Sequence, residues 1–160
     1  MSDFAASWRL SRGRFLDAIK DLNTAQLNWR LHPDSLTLGE AALHVAGVEV
    51  SFMSQLLDLE LDDFGKRLKA AATDGVVNDK PFPFAESEIN PDLVRNALEM
   101  SLGMTEPVIT APTPELLQKE IVSALGPVIN GTGALARLGF HAGYHQGQAH
   151  LICSAPSFPS

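Results

Sequence analysis

The chain has 160 residues, 45% of them hydrophobic, and a formal net charge of −7. That length suits one substantial core, so a single domain over residues 1–160 is expected. The acidic balance, with no basic block, argues against a nucleic-acid partner, and the lack of any run of about 18 apolar residues argues against a membrane-spanning helix.

The opening segment, MSDFAASWRLSRGRF, does not read as a secretory signal. A first amphipathic helix is predicted from about Asp3 to Leu22, with Phe4, Trp8, Phe15, Ile19 and Leu22 near one stripe. Arg9, Arg12, Arg14 and Lys20 are assigned to its wet side. Asn23 to Asp34 reads as a connection, closed by the turn chemistry of His32, Pro33 and Asp34. A second helix is predicted from about Thr37 to Leu59. Ser35 or Thr37 can cap it, and Glu40 stands three residues after Thr37, as a capping box requires. Ala41, Val45, Val48, Phe52, Leu56 and Leu59 form its apolar stripe, and His44 lies beside that stripe. Glu49 lies about 140° round the helix from His44 and is expected in solvent.

A short helix is expected within residues 65–72, followed by a long loop with the run Pro81, Phe82, Pro83, Phe84. Loops of this length are often functional, so residues 73–88 form a candidate lid. A third helix should start at Asn90 and Pro91, a capping residue followed by Pro at the first helical position. Residues 107–131 contain Pro107, Pro112, Pro114 and Pro127, and irregular or short extended structure is expected there. A fourth long helix is predicted from about Thr132 to Cys153, with Thr132 as its N-cap. Four long helices without a convincing sheet give an all-α antiparallel four-helix bundle.

Leu138, His141, His145, Gln148 and Ile152 follow one another at spacings of three, four, three and four, the inward seam of a bundle helix. His141 and His145 lie about 40° apart in projection, with Cβ atoms about 5–6 Å from each other. Two imidazoles so placed can share one divalent ion, and a third from another helix would leave positions open for water or substrate. Both are placed on an apolar seam, where each ring nitrogen needs a partner. His150 falls on another face and His32 in a turn, leaving His44 as the natural third ligand. His44 also fits a core histidine bonded to a backbone carbonyl.

Gly139, Gly143 and Gly147 make a stripe of small residues on the far side of the last helix. It points to close helix approach, within the chain or between subunits. Cys153 cannot form an internal disulfide, which fits a reducing cytoplasm. Near a helix C-terminus its thiolate is disfavoured, so it reads as a bystander.

Residues 38–46 (LGEAALHVA) resemble the second-helix motif of the DinB-like proteins, which include YfiT-like metal-dependent hydrolases. Residues 141–148 (HAGYHQGQ) resemble their last-helix motif, H-x-x-x-H-R-G-Q, in the same order and at a matching separation. The resemblance implies a four-helix bundle, often dimeric, with a divalent metal held by three histidines, here His44, His141 and His145. Gln146 departs from the family's Arg, whereas Gln148 keeps its glutamine and could support a ligand. Relatives include thiol-using enzymes such as bacillithiol S-transferases and a mycothiol-dependent isomerase.

Three functions follow. The first is a metal-dependent enzyme acting through a metal-bound thiolate or hydroxide, by thiol S-transfer or hydrolysis. Its metal would be zinc or nickel first, iron or manganese next. Its partners would be a small-molecule substrate, a low-molecular-weight thiol among them, and a second copy of the chain. The second is a non-enzymatic, stress-related metal-binding protein. The third is a helical dimerisation domain with hydrogen-bonded core histidines.

Overall fold

The helix starts follow the capping residues that the sequence supplies. In the computed structural model, which describes residues 2–160, α1 (Asp3–Ile19) begins behind Ser2, whose side chain accepts from the Ala5 N–H. It stops short of Leu22 because Asn23 and Gln26 form a reciprocal capping box that opens α2 (Thr24–Asn28). The expected box at Thr37 and Glu40 opens α3 (Leu38–Leu56). That helix ends before Leu59 because Asp58 adopts a left-handed φ of 51°, a conformation Asp tolerates just past a helix. Helix α4 (Asp63–Ala70) follows, then the long loop and a 3-10 turn at Glu86–Glu88.

Asn90 caps α5 (Pro91–Thr110) by accepting from the Leu93 N–H, with Pro91 in the first turn as expected. This helix runs past Pro107, so residues 107–110 are helical rather than irregular. Helix α6 (Pro114–Gln118) and an antiparallel hairpin, β1 (Glu120–Val122) with β2 (Val128–Asn130), fill the rest of that segment. The last helix, α7 (Gly131–Cys153), is capped by Asn130 rather than Thr132. Asn130 ends β2 in an extended conformation, which is also the conformation of an N-cap, so one residue serves both elements.

The chain is mostly helical, and its four long helices pack in a closed circuit: α1 on α7, α7 on α3, α3 on α5, and α5 on α1. α3 is not a one-sided amphipathic helix. It is buried on nearly every side, as an apolar helix enclosed by others must be. Two glycines on α7 allow its approach to α1. A Cβ on Gly139 would meet Ser7 Oγ at 3.1 Å, and one on Gly143 would meet Ser11 Cβ at 3.3 Å. The Ser11 hydroxyl donates to the Gly139 carbonyl at 2.7 Å. The expected close approach is thus made within the chain at these two positions, while a Cβ on Gly147 would meet nothing within 4 Å.

Burial of α3 overturns the expectation of a solvated Glu49, which is 2% exposed. Arg12, expected on the wet side of α1, is buried with it and donates through Nε at 3.1 Å. Trp8 Nε1 donates to the same carboxylate at 2.7 Å. Arg12 Nη2 also donates to the Leu98 carbonyl at 2.7 Å and to Ser101 Oγ at 3.2 Å, both on α5. One guanidinium therefore ties α1 to α3 and α5. Breaking such a buried pair from one side leaves a charge without its counter-ion and typically costs about 3–5 kcal/mol. Arg12→Met is expected to lose stability on that order in urea unfolding. Arg12→Met with Glu49→Gln should lose markedly less, because the amide still accepts from Trp8 but carries no charge. Equal losses would show that the pair's charge does not set the cost.

Candidate metal centre

The three histidines expected to act together do meet. His44 projects from α3, and His141 and His145 from adjacent turns of α7. One ring nitrogen from each lies within 4.8 Å of the others. His44 and His145 are buried, and His141 is half-buried. His141 Nε2 stands 3.0 Å from His44 Nε2 and 3.1 Å from His145 Nε2. His150 and His32 are exposed and lie outside the cluster, as their positions predict.

Two rings are oriented from behind. His44 Nδ1 is 2.9 Å from the Ala71 carbonyl oxygen. A carbonyl can only accept, so Nδ1 carries the proton and Nε2 presents its lone pair. The carbonyl is delivered by close packing: a Cβ on Gly47, one turn beyond His44, would meet the Leu68 carbonyl oxygen at 2.4 Å. His145 Nδ1 likewise donates to Gln148 Oε1 at 2.7 Å, the supporting role expected for that glutamine. His44 therefore satisfies both sequence readings, with one nitrogen on a carbonyl and the other in the cluster.

Desolvation pushes the His44 pKa down, partly opposed by the Ala71 hydrogen bond. Burial, with the charges that His145 and His44 would carry, pushes His141 down to about 2. Burial and His44 push His145 down to about 4, against a smaller upward effect of Gln148. All three are neutral at pH 7, which is the ligating form of imidazole.

Neutrality leaves an imbalance that tests the fit of a metal. With Nδ1–H on both His44 and His145, two Nε2 lone pairs face His141 Nε2, which has at most one proton for both. A divalent cation bonded to all three resolves this, since it accepts three lone pairs at once. Bonds of roughly 2.0–2.2 Å to one ion place neighbouring nitrogens about 3.0–3.5 Å apart; the two separations from His141 fall in that range, and the whole set lies within 4.8 Å. The donor set therefore fits a divalent ion.

The cluster forms part of the wall of a cavity of about 900 Å³, otherwise lined largely by apolar side chains such as Val48, Phe52, Val76 and Leu125. Tyr144 lies at this cavity with its ring edge-on to His145 at 5.1 Å between centroids. Sequence reasoning missed Arg137 and Ser123, which also line it. The signal for Arg137 was available: it stands one turn before His141 on the same face of α7. The long loop adds Val76 and Val77 to the cavity wall. Its aromatic end is anchored, with Phe84 buried, the Arg67 guanidinium 4.2 Å from the Phe84 ring centroid, and Arg67 Nε bonded to the Pro83 carbonyl. Burial pushes the Cys153 thiol up, in keeping with a bystander.

A family model of the DinB superfamily matches residues 7–149. The chain belongs to the DinB superfamily. A crystal structure described as a conserved protein from Enterococcus faecalis is similar to it, with a TM-score of 0.67 and 17% identity over 93% of this chain and 92% of that one. At that identity the likeness shows the fold alone. No curated protein matches the chain. In this DinB superfamily member, Gln146 is not among the residues that line the cavity.

The neutral histidines make stability depend on pH. In the unfolded chain they titrate near the ordinary 6.5, above the folded values, so below pH 6.5 the unfolded state binds more protons. Metal-free protein should hold this contribution in full above pH 6.5 and lose it as pH falls toward about 4, where His145 protonates. A loss on the order of 3 kcal/mol or more by pH 4 is expected, at about 1.4 kcal/mol per pH unit for each histidine held neutral. The check is urea unfolding across this range beside a His141→Leu/His145→Leu variant, which should decline less steeply. Parallel slopes would contradict neutral burial.

Proposed function

We propose that this DinB superfamily protein is a divalent-metal enzyme with His44, His141 and His145 as ligands. It would act on a small molecule in the adjoining cavity by thiol S-transfer or, second, by hydrolysis. The observation that carries the reading is the convergence of three neutral imidazole nitrogens, two fixed from behind, on the wall of a large apolar cavity. Zinc or nickel suits an all-imidazole set first, with iron or manganese next. When bound, such an ion lowers the pKa of a water or thiol toward neutrality.

The chain's own residues do the rest. Ala71 and Gln148 hold His44 and His145 in the ligating tautomer, so no reorientation is needed. Val48, Phe52 and Leu125 shed water and take up the apolar part of a substrate. Tyr144, His32 and Asp34 line the same cavity and are among the polar side chains it offers a substrate. Among the described residues no carboxylate joins the histidine cluster.

The proposal extends to one domain built as an antiparallel four-helix bundle, working in the cytoplasm as a homodimer. The bundle is supported by the closed circuit of long helices. Cytoplasmic residence is supported by the single cysteine, and among the described residues no helix is long and apolar enough to cross a membrane. The dimer is supported by Phe140, Tyr144 and Leu151, exposed large hydrophobic residues along one side of α7 that also border the cavity.

The test is a chromogenic panel on zinc- and nickel-loaded protein: cysteine or glutathione with 1-chloro-2,4-dinitrobenzene, and p-nitrophenyl esters. Turnover in wild type should exceed that of His145→Ala by on the order of 100-fold. Metal-loaded protein that turns over nothing in either assay would favour a non-enzymatic metal-binding role.

A further inference from the structure

The cavity has a polarity that the histidines do not explain. Arg137 and Asp34 are the charged side chains in its lining, and among the described residues Arg137 forms no ion pair. Its Nη1 donates to Ser123 Oγ at 2.9 Å. Ser123 is buried at the end of the β1–β2 hairpin, fixed by its N–H to the Pro127 carbonyl at 3.0 Å. Its Oγ also accepts from the Leu125 N–H at 3.2 Å.

A serine hydroxyl accepts two hydrogen bonds and donates one. Here both acceptor positions are taken by N–H groups, and the O–H proton has no acceptor within the described residues. Arg137 keeps further N–H donors, since a guanidinium carries five. Two donors without an acceptor thus border one cavity, one of them cationic, in a chain that is otherwise acidic. Arg137 lies one helical turn from His141, and so about 5–6 Å away between Cβ atoms.

We propose that Arg137 and Ser123 form an anion subsite, and that the cavity's ligand is an amphiphile with an apolar body and a carboxylate bound there. The inference rests on reading this cavity as the substrate site and does not require a metal to be bound. The carboxylate would accept from the free Ser123 O–H and from Arg137, completing the hydrogen bonding of both. It would hold the apolar body against Val48 and Phe52, with its reacting end toward the histidines. Arg137 is here a specificity-determining residue.

The test compares 4-phenylbutanoate with its uncharged isostere 4-phenylbutanamide by calorimetry at low salt. It uses full-length protein, both metal-free and zinc-loaded. Wild type should bind the acid about tenfold more tightly than the amide. Arg137→Gln should abolish that preference by weakening the acid far more than the amide, with a urea-unfolding midpoint near that of wild type showing that the variant is folded. Ser123→Ala should reduce the preference several-fold, and metal-free His145→Ala should keep it. Equal binding of acid and amide by wild type, a preference that survives Arg137→Gln, or no binding of either below about 10 mM would overturn the proposal. So would a preference seen only with zinc and lost in His145→Ala, because the carboxylate would then be on the metal. A wild type that takes up no metal but keeps the Arg137-dependent preference would sink the metal reading alone.

Discussion

Three imidazoles that meet without enough protons to share are the constraint on which the rest depends. Burial keeps them neutral, and the Ala71 carbonyl and the Gln148 amide claim the Nδ1 protons of His44 and His145. The lone pairs left over converge on His141. In a structural histidine cluster, ring nitrogens would be expected to pair donor with acceptor. Here the surroundings fix the tautomers that prevent it. An arrangement that leaves lone pairs facing one another in a poorly solvated site is unfavourable alone and favourable around a cation.

The scaffold holds that constraint by packing that admits little relaxation. Gly47 lets the end of α4 sit on α3 and so brings a carbonyl to His44. Gly139 and Gly143 seat α7 on α1, which fixes the helix carrying the other two histidines. Across the core, Arg12 joins α1, α3 and α5 through Glu49, Leu98 and Ser101. A buried ion pair of this kind contributes little net stability compared with an apolar pair of similar volume. It does penalise any slip of α1 against α3, and His44 lies on the same helix as Glu49.

The sequence made the local features legible because they depend on neighbours along the chain. The capping box at Thr37 and Glu40, the Asn90–Pro91 start and the pairing of His141 with His145 are all set within one turn. His44 could be added because its helix and its position beside a stripe were both readable. Glu49 and Arg12 were misplaced for a definite reason. A helical wheel assigns a polar face to solvent, but α3 has helices or loops on nearly every side, so its polar residue had to find a buried partner. The start of α7 was misjudged by the hairpin, which appeared only as Pro- and Gly-rich chain and whose last residue became the cap. Ala71 and Ser123 act through contacts that carry no composition signal, while Arg137 had the spacing but not the chemistry of a ligand.

The most direct measurement of the central claim is metal content per chain by plasma mass spectrometry. Tag-free wild type and His141→Ala would be exposed equally to zinc, nickel and manganese and then dialysed. About one ion per wild-type chain, lost from the variant while the fold is retained, is the outcome this account predicts. Wild type at background for every metal would contradict it, and the neutral imidazoles would then be hydrogen-bonded core residues.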